Sequence, residues 1–254
     1  MLNIVIPMAG RGSRFASKGY LDPKPLIPVH GIPMIKIVID NLRPKYTNHR
    51  FIFICQRDHV RNYELKERFQ VWAPGSVVVE LEGVTDGAAS TVLKAREFID
   101  NQDQLMIANS DQYVNINVDT YLYKIYEEKL DGLIMTMTAH DPKWSFVSLD
   151  SDGFVNKVVE KDVISDEATV GIYNFSRGQD FVRGADMMIA ANRKSNGEFY
   201  VAPVYNELVN AGSRVGIYNI GAEADGMYGL GIPEDLEFFL SHPVSAKIKE
   251  LASC

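Results

Sequence analysis

The chain has 254 residues, of which 46% are hydrophobic, and its formal net charge is -7. A chain of this length and apolar content can bury a sizeable core, so a single domain is expected. The negative charge argues against a general nucleic-acid binder, and no apolar run is long enough to span a bilayer. With two cysteines and no signal-like leader, a disulfide framework is disfavoured and the expected compartment is the cytoplasm.

The chain opens with a short apolar strand, at 2–8, that runs directly into a glycine-rich loop. The loop reads Ala9-Gly10-Arg11-Gly12-Ser13-Arg14. Such a loop exposes backbone N–H groups that can surround phosphate oxygens, because glycine lets the backbone approach closely. The guanidinium of Arg14 adds a forked cation suited to phosphate. This segment is predicted to hold a nucleoside triphosphate, and its predicted nucleotide-binding residues are Ala9, Gly10, Gly12 and Ser13.

A lysine between two prolines follows about ten residues later, in Pro23-Lys24-Pro25. Each proline fixes its own φ and restricts the residue before it, so Lys24 is held in place. Its ammonium is a point charge suited to phosphate. The loop does not match the dinucleotide-binding fingerprint, which needs glycine where Phe15 stands, or the P-loop, which ends in Gly-Lys-Ser/Thr.

The rest of the first half alternates apolar strands with helices. Strands are predicted at 51–55, 77–81 and 104–108, and helices at 33–42, 58–69 and 86–98. This alternation implies a mainly parallel sheet with right-handed crossovers, in which ligands bind at the carboxyl ends of strands. The Gly10 loop and the segment 109–112 both follow strands, so they are expected to face one crevice.

The second half is less regular. Strands are predicted at 132–139, 146–149, 154–159 and 169–175, and helices at 179–191, at 200–210 and from Pro233 onward. The expected fold class is α/β, with a Rossmann-like, mainly parallel but mixed sheet flanked by helices, in one domain spanning 1–254.

The paired motifs, Gly10-Arg11-Gly12-Ser13-Arg14 and then Pro23-Lys24-Pro25, resemble the signature of the nucleotidylyltransferases that activate phosphorylated sugars and related metabolites. The resemblance covers nearly the whole chain. It implies the GT-A-like architecture of that family, with a nucleotide-binding half at about 1–115 and an acceptor-binding half at about 116–254. It also implies that an acceptor phosphate oxygen attacks the α-phosphorus of the triphosphate and that pyrophosphate leaves. Such chemistry depends on alignment and charge neutralisation, with Mg²⁺ as the implied cofactor.

The resemblance implies a role for each matching residue. Asp111 stands where the family places a metal-binding aspartate. The family's second metal-binding aspartate is replaced by Gly229, and Asp225, four residues upstream, is the candidate in its place. Otherwise the ion depends on Asp111, the phosphates and water. Lys24 is implied to contact the α-phosphate or the acceptor phosphate, and Arg14 the departing pyrophosphate.

Glu160-Lys161 matches a Glu-Lys pair at a strand end. The resemblance implies that Lys161 is catalytic and binds the acceptor's phosphate, while Glu160 binds its polar groups. It likewise implies a backbone contact from Gly171 to the acceptor and a side-chain contact from Glu198. A solvated charged pair and a first-turn helix acid are the structural alternatives. The remaining implied nucleotide-binding residues are Gly87, Ala88 and Ser110.

Position 82 bears on the choice of base. Family members that select uracil or thymine often have glutamine five residues before the glycine of a G-x-A motif. Here that glycine is Gly87, and position 82 is Glu. A carboxylate only accepts hydrogen bonds, and cytosine and guanine offer donors. We therefore expect Glu82 to favour CTP or GTP over UTP or dTTP, unless it is an exposed charge at a strand end.

Within the family, the chain is most similar overall to bacterial capsule-pathway members, in particular the CTP:phosphoglutamine cytidylyltransferases. This likeness implies transfer of CMP from CTP to L-glutamine phosphate, giving CDP-L-glutamine for capsule phosphoramidate synthesis. The alternatives are a hexose- or heptose-1-phosphate nucleotidylyltransferase using GTP or UTP, and a non-catalytic nucleotide-binding regulator. A glycosyltransferase is disfavoured because Asp111-Gln112-Tyr113 lacks the second aspartate of a D-x-D motif. Dimers are common in the family, which makes a homodimer one expected assembly.

Overall fold

The structure is a computed structural model that describes residues 1–10 and 12–248. Arg11 of the glycine-rich motif and Cys254 lie outside the described residues. The strands are β1 (Leu2–Pro7), β2 (Pro28–Val29), β3 (Ile32–Pro33), β4 (His49–Gln56), β5 (Val77–Leu81), β6 (Gln104–Ala108), β7 (Gln112–Val114), β8 (Gly132–Thr138), β9 (Ser145–Leu149), β10 (Val155–Glu160), β11 (Glu167–Phe175), β12 (Val215–Glu223) and β13 (Gly226–Gly229). The α-helices are α1 (Ser13–Ala16), α2 (Met34–Leu42), α3 (Arg57–Asn62), α4 (Leu65–Trp72), α5 (Ala88–Val92), α6 (Arg96–Ile99), α7 (Val118–Glu127), α8 (Gly178–Ala190), α9 (Tyr205–Asn210) and α10 (Pro233–Ser241).

Eleven of these strands form one mixed sheet in the order β5-β4-β1-β6-β11-β8-β12-β13-β7, with the β9–β10 hairpin attached to β11. β1 pairs in parallel with β4 and β6, and β4 pairs in parallel with β5. β11 runs antiparallel to both β6 and β8. The predicted α/β class with a mixed sheet is confirmed.

The central strand β1 shows why these residues form a sheet covered on both faces. Ile4 and Ile6 belong to the core cluster that includes α2, and Val5 belongs to the cluster that includes α5. Side chains alternate between the faces of a strand, so an uninterrupted apolar run buries both faces. The predicted apolar strands of the first half are accordingly all present.

Two predicted helices are broken. Glu64 has a left-handed φ of 51°, which ends α3 and starts α4 where one helix was expected at 58–69. The predicted helix at 86–98 is divided by a 3₁₀ turn, Leu93–Ala95, between α5 and α6.

No element was predicted from the sequence at α7, β7, β12 or β13. α7 nevertheless has a readable signal, because Asn117 caps it by accepting a hydrogen bond from the N–H of Asp119. β12 and β13 are recognisable only through their neighbours, since β12 pairs with β8 and β13 with β7.

The topology brings distant segments to one edge of the sheet. Because β1 and β6 are parallel neighbours, the glycine-rich loop and the segment 109–111 leave the sheet at the same edge. β13 pairs with β7 so that Gly229 lies opposite Gln112. Along the described chain, none of the helices is both long and apolar enough to cross a membrane.

Candidate active site

The glycine-rich loop packs against the Pro-Lys-Pro segment. Gly12 has a φ of 60°, in the left-handed region that favours glycine, and α1 begins at Ser13. A Cβ built at Gly12 would lie 3.3 Å from the Cβ of Lys24. The absence of a side chain at Gly12 therefore lets the two motifs approach each other closely.

Gln56, at the end of β4, ties this loop to the loop that follows β5. Its Nε2 donates to the carbonyl of Ala9 at 2.6 Å and to the carbonyl of Gly83 at 2.7 Å. Gln56 was not among the residues predicted from the sequence. The sequence feature that indicates it is a polar residue directly after the buried apolar run of β4.

A cavity of about 460 Å³, here called the loop cavity, lies beside the glycine-rich loop. It is lined by Pro7, Ala9, Gly10, Val84, Thr85, Gly87, Ala88, Thr91 and Glu198. The predicted nucleotide-binding residues at 9–10 and at 87–88, which are distant in the sequence, therefore line the same cavity. Glu198, which the resemblance implied as an acceptor-binding residue, lines this loop cavity. It does not line the second cavity, described below, that contains Asp111.

The start of α5 is held against a distant segment of backbone. Gly87 has a φ of +117°, and a Cβ there would lie 2.6 Å from both the backbone nitrogen and the carbonyl oxygen of Phe199. The N–H of Ala89 donates to the carbonyl of Phe199 at 2.9 Å, and the N–H of Phe199 donates to the carbonyl of Asp86 at 2.7 Å. This wall of the loop cavity thus joins the two halves of the chain.

A second cavity of about 380 Å³, here called the carboxylate cavity, combines cationic and anionic side chains. It is lined by Arg14, Asn109, Asp111, Gln112, Lys143, Trp144, Lys161, Met227, Gly229, Gly231, Ile232 and Asp235. The structure therefore brings together Arg14, Asp111 and Lys161, three residues predicted for the site from separate motifs. Cations beside carboxylates suit a ligand that carries phosphates together with a metal ion.

Lys24 reaches Asp111 directly. The Lys24 Nζ lies 2.8 Å from the Asp111 Oδ2, and each side chain is about a quarter exposed. A Cβ built at Gly231 would lie 2.5 Å from the same Oδ2, so the carboxylate uses space that only glycine leaves open. The sequence predicted both residues for the site but not their contact.

The second carboxylate of this cavity is Asp235, whereas the predicted ligand Asp225 lies outside the cavity. Asp225 is exposed in the turn between β12 and β13 and does not line the cavity. That turn is closed by the N–H of Ala222, which donates to the Asp225 carbonyl at 2.6 Å. Asp235 lies in the first turn of α10 and lines the cavity with Asp111.

The surroundings of Asp235 are unfavourable to its negative charge. Burial raises the pKa of Asp235 above its usual range, the nearby carboxylates Glu223, Glu234 and Asp111 raise it further, and Lys143 opposes the rise. The carboxylate would therefore gain from a cationic ligand in the cavity.

The predicted Glu160–Lys161 pair is divided between two cavities. Lys161 lines the carboxylate cavity, and its Nζ donates to the Tyr200 hydroxyl at 3.2 Å, which raises the pKa of Lys161. Glu160 lines a separate cavity and accepts a hydrogen bond from the Ser145 hydroxyl. Burial is the main influence on Glu160 and raises its pKa.

Gly171 and Ser110 do not line the carboxylate cavity but lie next to residues that do. The carbonyl of Gly171 accepts a hydrogen bond from the N–H of Asn109 at 3.0 Å. Its φ is +78°, and a Cβ there would lie 2.1 Å from the Asn109 Nδ2. Ser110 is buried beside them. Gly171 therefore holds the segment that presents Asn109 and Asp111, and Ser110 is buried within that segment.

Glu82 lies away from both cavities. Its side chain is 73% exposed and forms an ion pair with Arg57. It lines an outer cleft with Glu80 and Arg57 rather than the loop cavity. Its position therefore matches the alternative interpretation of Glu82, which is an exposed charge at the end of a strand.

Comparison with known proteins decides the family. A family model described as nucleotidyl transferase matches residues 4–194, a span that includes the glycine-rich loop, Lys24 and Asp111. The chain belongs to the nucleotidyl transferase family.

Curated relatives in this family include the bifunctional protein GlmU from two organisms. The Bacillus subtilis protein is 27% identical over 227 residues, which cover 85% of this chain and 47% of the relative. The Methanocaldococcus jannaschii protein is 22% identical over 178 residues, which cover 69% of this chain and 40% of the relative. The chain therefore spans less than half the length of these relatives.

Solved structures of similar fold cover nearly the whole chain. A nucleoside-diphosphate-sugar pyrophosphorylase from Vibrio cholerae has a TM-score of 0.78 and 26% identity, covering 94% of this chain and 100% of that one. The inositol-1-phosphate CTP transferase from T. maritima has a TM-score of 0.75, covering 98% of this chain and 96% of that one. At 16% identity, the second likeness shows a shared fold.

In this member of the nucleotidyl transferase family, two cavity residues that sequence reasoning did not assign have unpaired donors. The Gln112 Nε2 and the Trp144 Nε1 are buried and have no hydrogen-bond partner in the part of the chain that the structure describes. A buried donor without a partner is costly, so each is suited to a ligand oxygen. No local pattern marks them, because their burial arises from β7 and from the loop before β9.

Proposed function

We propose that this chain is a nucleotidyltransferase that transfers a nucleoside monophosphate from a nucleoside triphosphate to a phosphorylated metabolite. An oxygen of the acceptor's phosphate attacks the α-phosphorus, the bond from that phosphorus to its bridging oxygen breaks, and pyrophosphate leaves with the electron pair. The observation that carries the proposal is the contact between Lys24 and Asp111 at the sheet edge where the glycine-rich loop emerges.

The proposed roles follow from charge and position. The N–H groups of the glycine-rich loop and of the start of α5 bind the nucleotide. Arg14 binds the departing pyrophosphate, Lys24 the α-phosphate, and Lys161 the acceptor's phosphate, because all three cations lie in or beside the carboxylate cavity. Holding both substrates in line is the main contribution of the protein, so no protein nucleophile is required.

The carboxylate cavity fits a divalent cation with oxygen ligands. The glycines at 229 and 231 leave room for carboxylate oxygens, and Asp111 would hold the ion. Among residues 1–10 and 12–248, no group of three or more acidic, histidine or cysteine side chains converges on a metal site. Phosphate oxygens and water would complete the shell, as is usual for Mg²⁺. When bound, Mg²⁺ supplies positive charge to the phosphate oxygens.

We propose CTP as the donor and L-glutamine phosphate as the acceptor, in a cytoplasmic step of capsule synthesis, with a homodimer as the assembly. The overall likeness to capsule-pathway cytidylyltransferases supports this choice. The cations and unpaired donors of the carboxylate cavity fit a small phosphorylated acceptor. The position of Glu82 gives the choice of cytosine no support.

A sugar 1-phosphate acceptor is the second candidate. The Vibrio cholerae structure that resembles this chain is named a nucleoside-diphosphate-sugar pyrophosphorylase. Cations that hold a phosphoglutamine phosphate would equally hold a hexose 1-phosphate, with UTP or GTP as the donor.

The test is a matrix of pyrophosphate-release assays with the purified chain and Mg²⁺. Four triphosphates are each combined with L-glutamine phosphate and with several sugar 1-phosphates. We expect release with CTP and L-glutamine phosphate together, and none when the acceptor is omitted. Release only with UTP or GTP and a sugar phosphate would select the second candidate. Release of a nucleoside diphosphate, or of no product in any combination, would overturn the proposed reaction.

A further inference from the structure

The chain lacks a side chain at Gly229, but the space beside that position is occupied. A Cβ built at Gly229 would lie 3.1 Å from the Oδ2 of Asp235 and 3.6 Å from its Cγ. The Asp235 carboxylate therefore sits where a side chain at 229 would begin to extend. An acidic group reaches this side of the cavity from the following helix.

The turn between β13 and α10 holds this carboxylate close to Asp111. The N–H of Leu230 donates to the carbonyl of Asp111 at 2.8 Å, which joins the end of β13 to the segment after β6. The absence of a side chain at Gly231 lets the turn approach the Asp111 carboxylate. α10 then begins at Pro233, whose fixed φ suits a first helical residue and sets the direction of the first turn.

The two carboxylates differ in their present partners. Asp111 is paired with Lys24. Asp235, although partly buried, has no hydrogen bond or ion pair to any residue that the structure describes. Its nearest compensating cation, Lys143, is itself paired with Glu223 at 2.7 Å. Asp235 is therefore available to a cation entering the cavity.

An independent feature of the same cavity also indicates a ligand. Gln112, which is 3% exposed, faces Gly229 across the β7–β13 ladder, and its Nε2 is buried without a partner among the described residues. Gln112 lines the carboxylate cavity together with Asp111 and Gly229. A phosphate oxygen that shares an ion with the carboxylates would satisfy its Nε2 donor.

We propose that Asp235 is the second protein ligand of the divalent cation, supplied by the first turn of α10 in place of a side chain at Gly229. This inference rests on the proposed function, because the ion is the one that accompanies the triphosphate. Two carboxylates from different elements and bridging phosphate oxygens form an oxygen-rich shell suited to Mg²⁺ or Mn²⁺.

The test measures Mn²⁺ binding to the full chain without nucleotide, from the electron paramagnetic resonance signal of free Mn²⁺. We expect Asp235→Asn to weaken binding by about tenfold, because affinity depends on the number of charged ligands. Two matched controls each remove one carboxylate outside the cavity: Glu234→Gln, beside Asp235 on α10, and Asp225→Asn in the β12–β13 turn. Both should bind Mn²⁺ as the wild type does.

A relocation variant keeps the test decisive if Asp235→Asn folds poorly. Gly229→Asp combined with Asp235→Ala moves the carboxylate to the other side of the same space, and removing the Asp235 oxygens relieves the 3.1 Å approach. We expect Mn²⁺ affinity within about threefold of the wild type, compared with about tenfold weaker binding for Asp235→Ala alone.

Unchanged Mn²⁺ binding in folded Asp235→Asn, or weakened binding in Asp225→Asn instead, would overturn the assignment. A double variant that folds but binds as weakly as Asp235→Ala would also overturn it. These outcomes are separate from the proposed reaction. Wild-type pyrophosphate release with Asp235-independent Mn²⁺ binding removes only this inference, whereas Asp235-dependent binding in a chain that releases no pyrophosphate removes only the proposed reaction.

Discussion

At the scale of single residues, the Lys24–Asp111 ion pair is the contact on which the proposed function rests. The Lys24 ammonium compensates the charge of Asp111, the carboxylate that is proposed to hold the metal ion. A bound triphosphate would give the Lys24 ammonium a second anionic partner. A metal ion would give the Asp111 carboxylate a second cationic partner. We infer that binding exchanges this ion pair for two new ones, which keeps both charges compensated throughout.

Lys24→Ala should reduce pyrophosphate release by about 100-fold, because one positioned cation at the developing charge is lost. Its melting temperature should stay close to that of the wild type, since a partly exposed ion pair contributes little to stability. The control is Lys18→Ala, which removes an exposed lysine of the same loop that pairs with Glu234. Near-normal turnover in Lys24→Ala would remove Lys24 from the mechanism.

Glu160 provides a prediction about pH. Burial raises its pKa in the folded chain, so the charged form destabilises the fold and the protonated form does not. The stability that protonated Glu160 contributes is therefore present below the pKa of this group in the unfolded chain. It is lost as the pH rises through the pKa of the group in the folded chain. Glu160→Gln should gain stability relative to the wild type as the pH rises above the ordinary carboxyl range, measured by urea unfolding at each pH. A stability difference that does not vary with pH would contradict this account.

At the scale of elements, the start of α5 couples the loop cavity to the second half of the chain. The hydrogen bonds that join residues 86 and 89 to Phe199 require the backbone to pass at 87 without a Cβ. The same turn carries two predicted nucleotide-binding residues. The packing between the two halves and the shape of the loop cavity therefore both depend on the glycine at position 87.

Gly87→Ala should destabilise the chain by about 2 kcal/mol more than the control, Gly83→Ala, because its Cβ collides with backbone atoms. Gly83 also has a positive φ, of +78°, but a Cβ there meets nothing within 4 Å, so the control isolates backbone strain. Denaturant unfolding measures both variants. Equal losses of stability would mean that the contact with Phe199 does not constrain this turn.

At the scale of the whole molecule, one eleven-stranded sheet runs through both halves of the chain. The halves join where β6 pairs with β11 and where β7 pairs with β13, on either side of the segment that carries Asp111. Core clusters on each face draw residues from both halves, so neither half has a separate interior. We therefore expect the described fold to unfold as one cooperative unit.

Differential scanning calorimetry should give a single transition, which CTP with Mg²⁺ moves upward as a whole. Ligand at about 100 times its Kd adds about 2.7 kcal/mol, which corresponds to a rise of about 5–10 °C in Tm for a chain of this size. Mg²⁺ alone and CTP with a chelator serve as controls, and each should give a smaller shift. Two transitions, of which CTP raises the temperature of only one, would mean that the two halves unfold independently.

The sequence alone determined the parts of this protein that depend on local constraints. Buried strands were predicted from apolar runs such as 51–55, because an extended chain covered on both faces needs apolar side chains throughout. The glycine-rich loop and Lys24 were predicted because glycine and proline restrict the backbone within a few residues, whereas Asp111 was implied by the family resemblance. These features were sufficient to predict the α/β class and one edge of the candidate site.

Only the tertiary structure decided which acidic side chains converge. The sequence indicated Asp225 and did not single out Asp235, but the β13–β7 pairing and the turn before α10 place Asp235 in the cavity with Asp111 and leave Asp225 exposed. Glu82 likewise precedes Gly87 at the predicted spacing and yet pairs with Arg57 outside the cavities. The physical reason is that side-chain convergence depends on strand register and turn direction over more than a hundred residues, and local propensity contains neither.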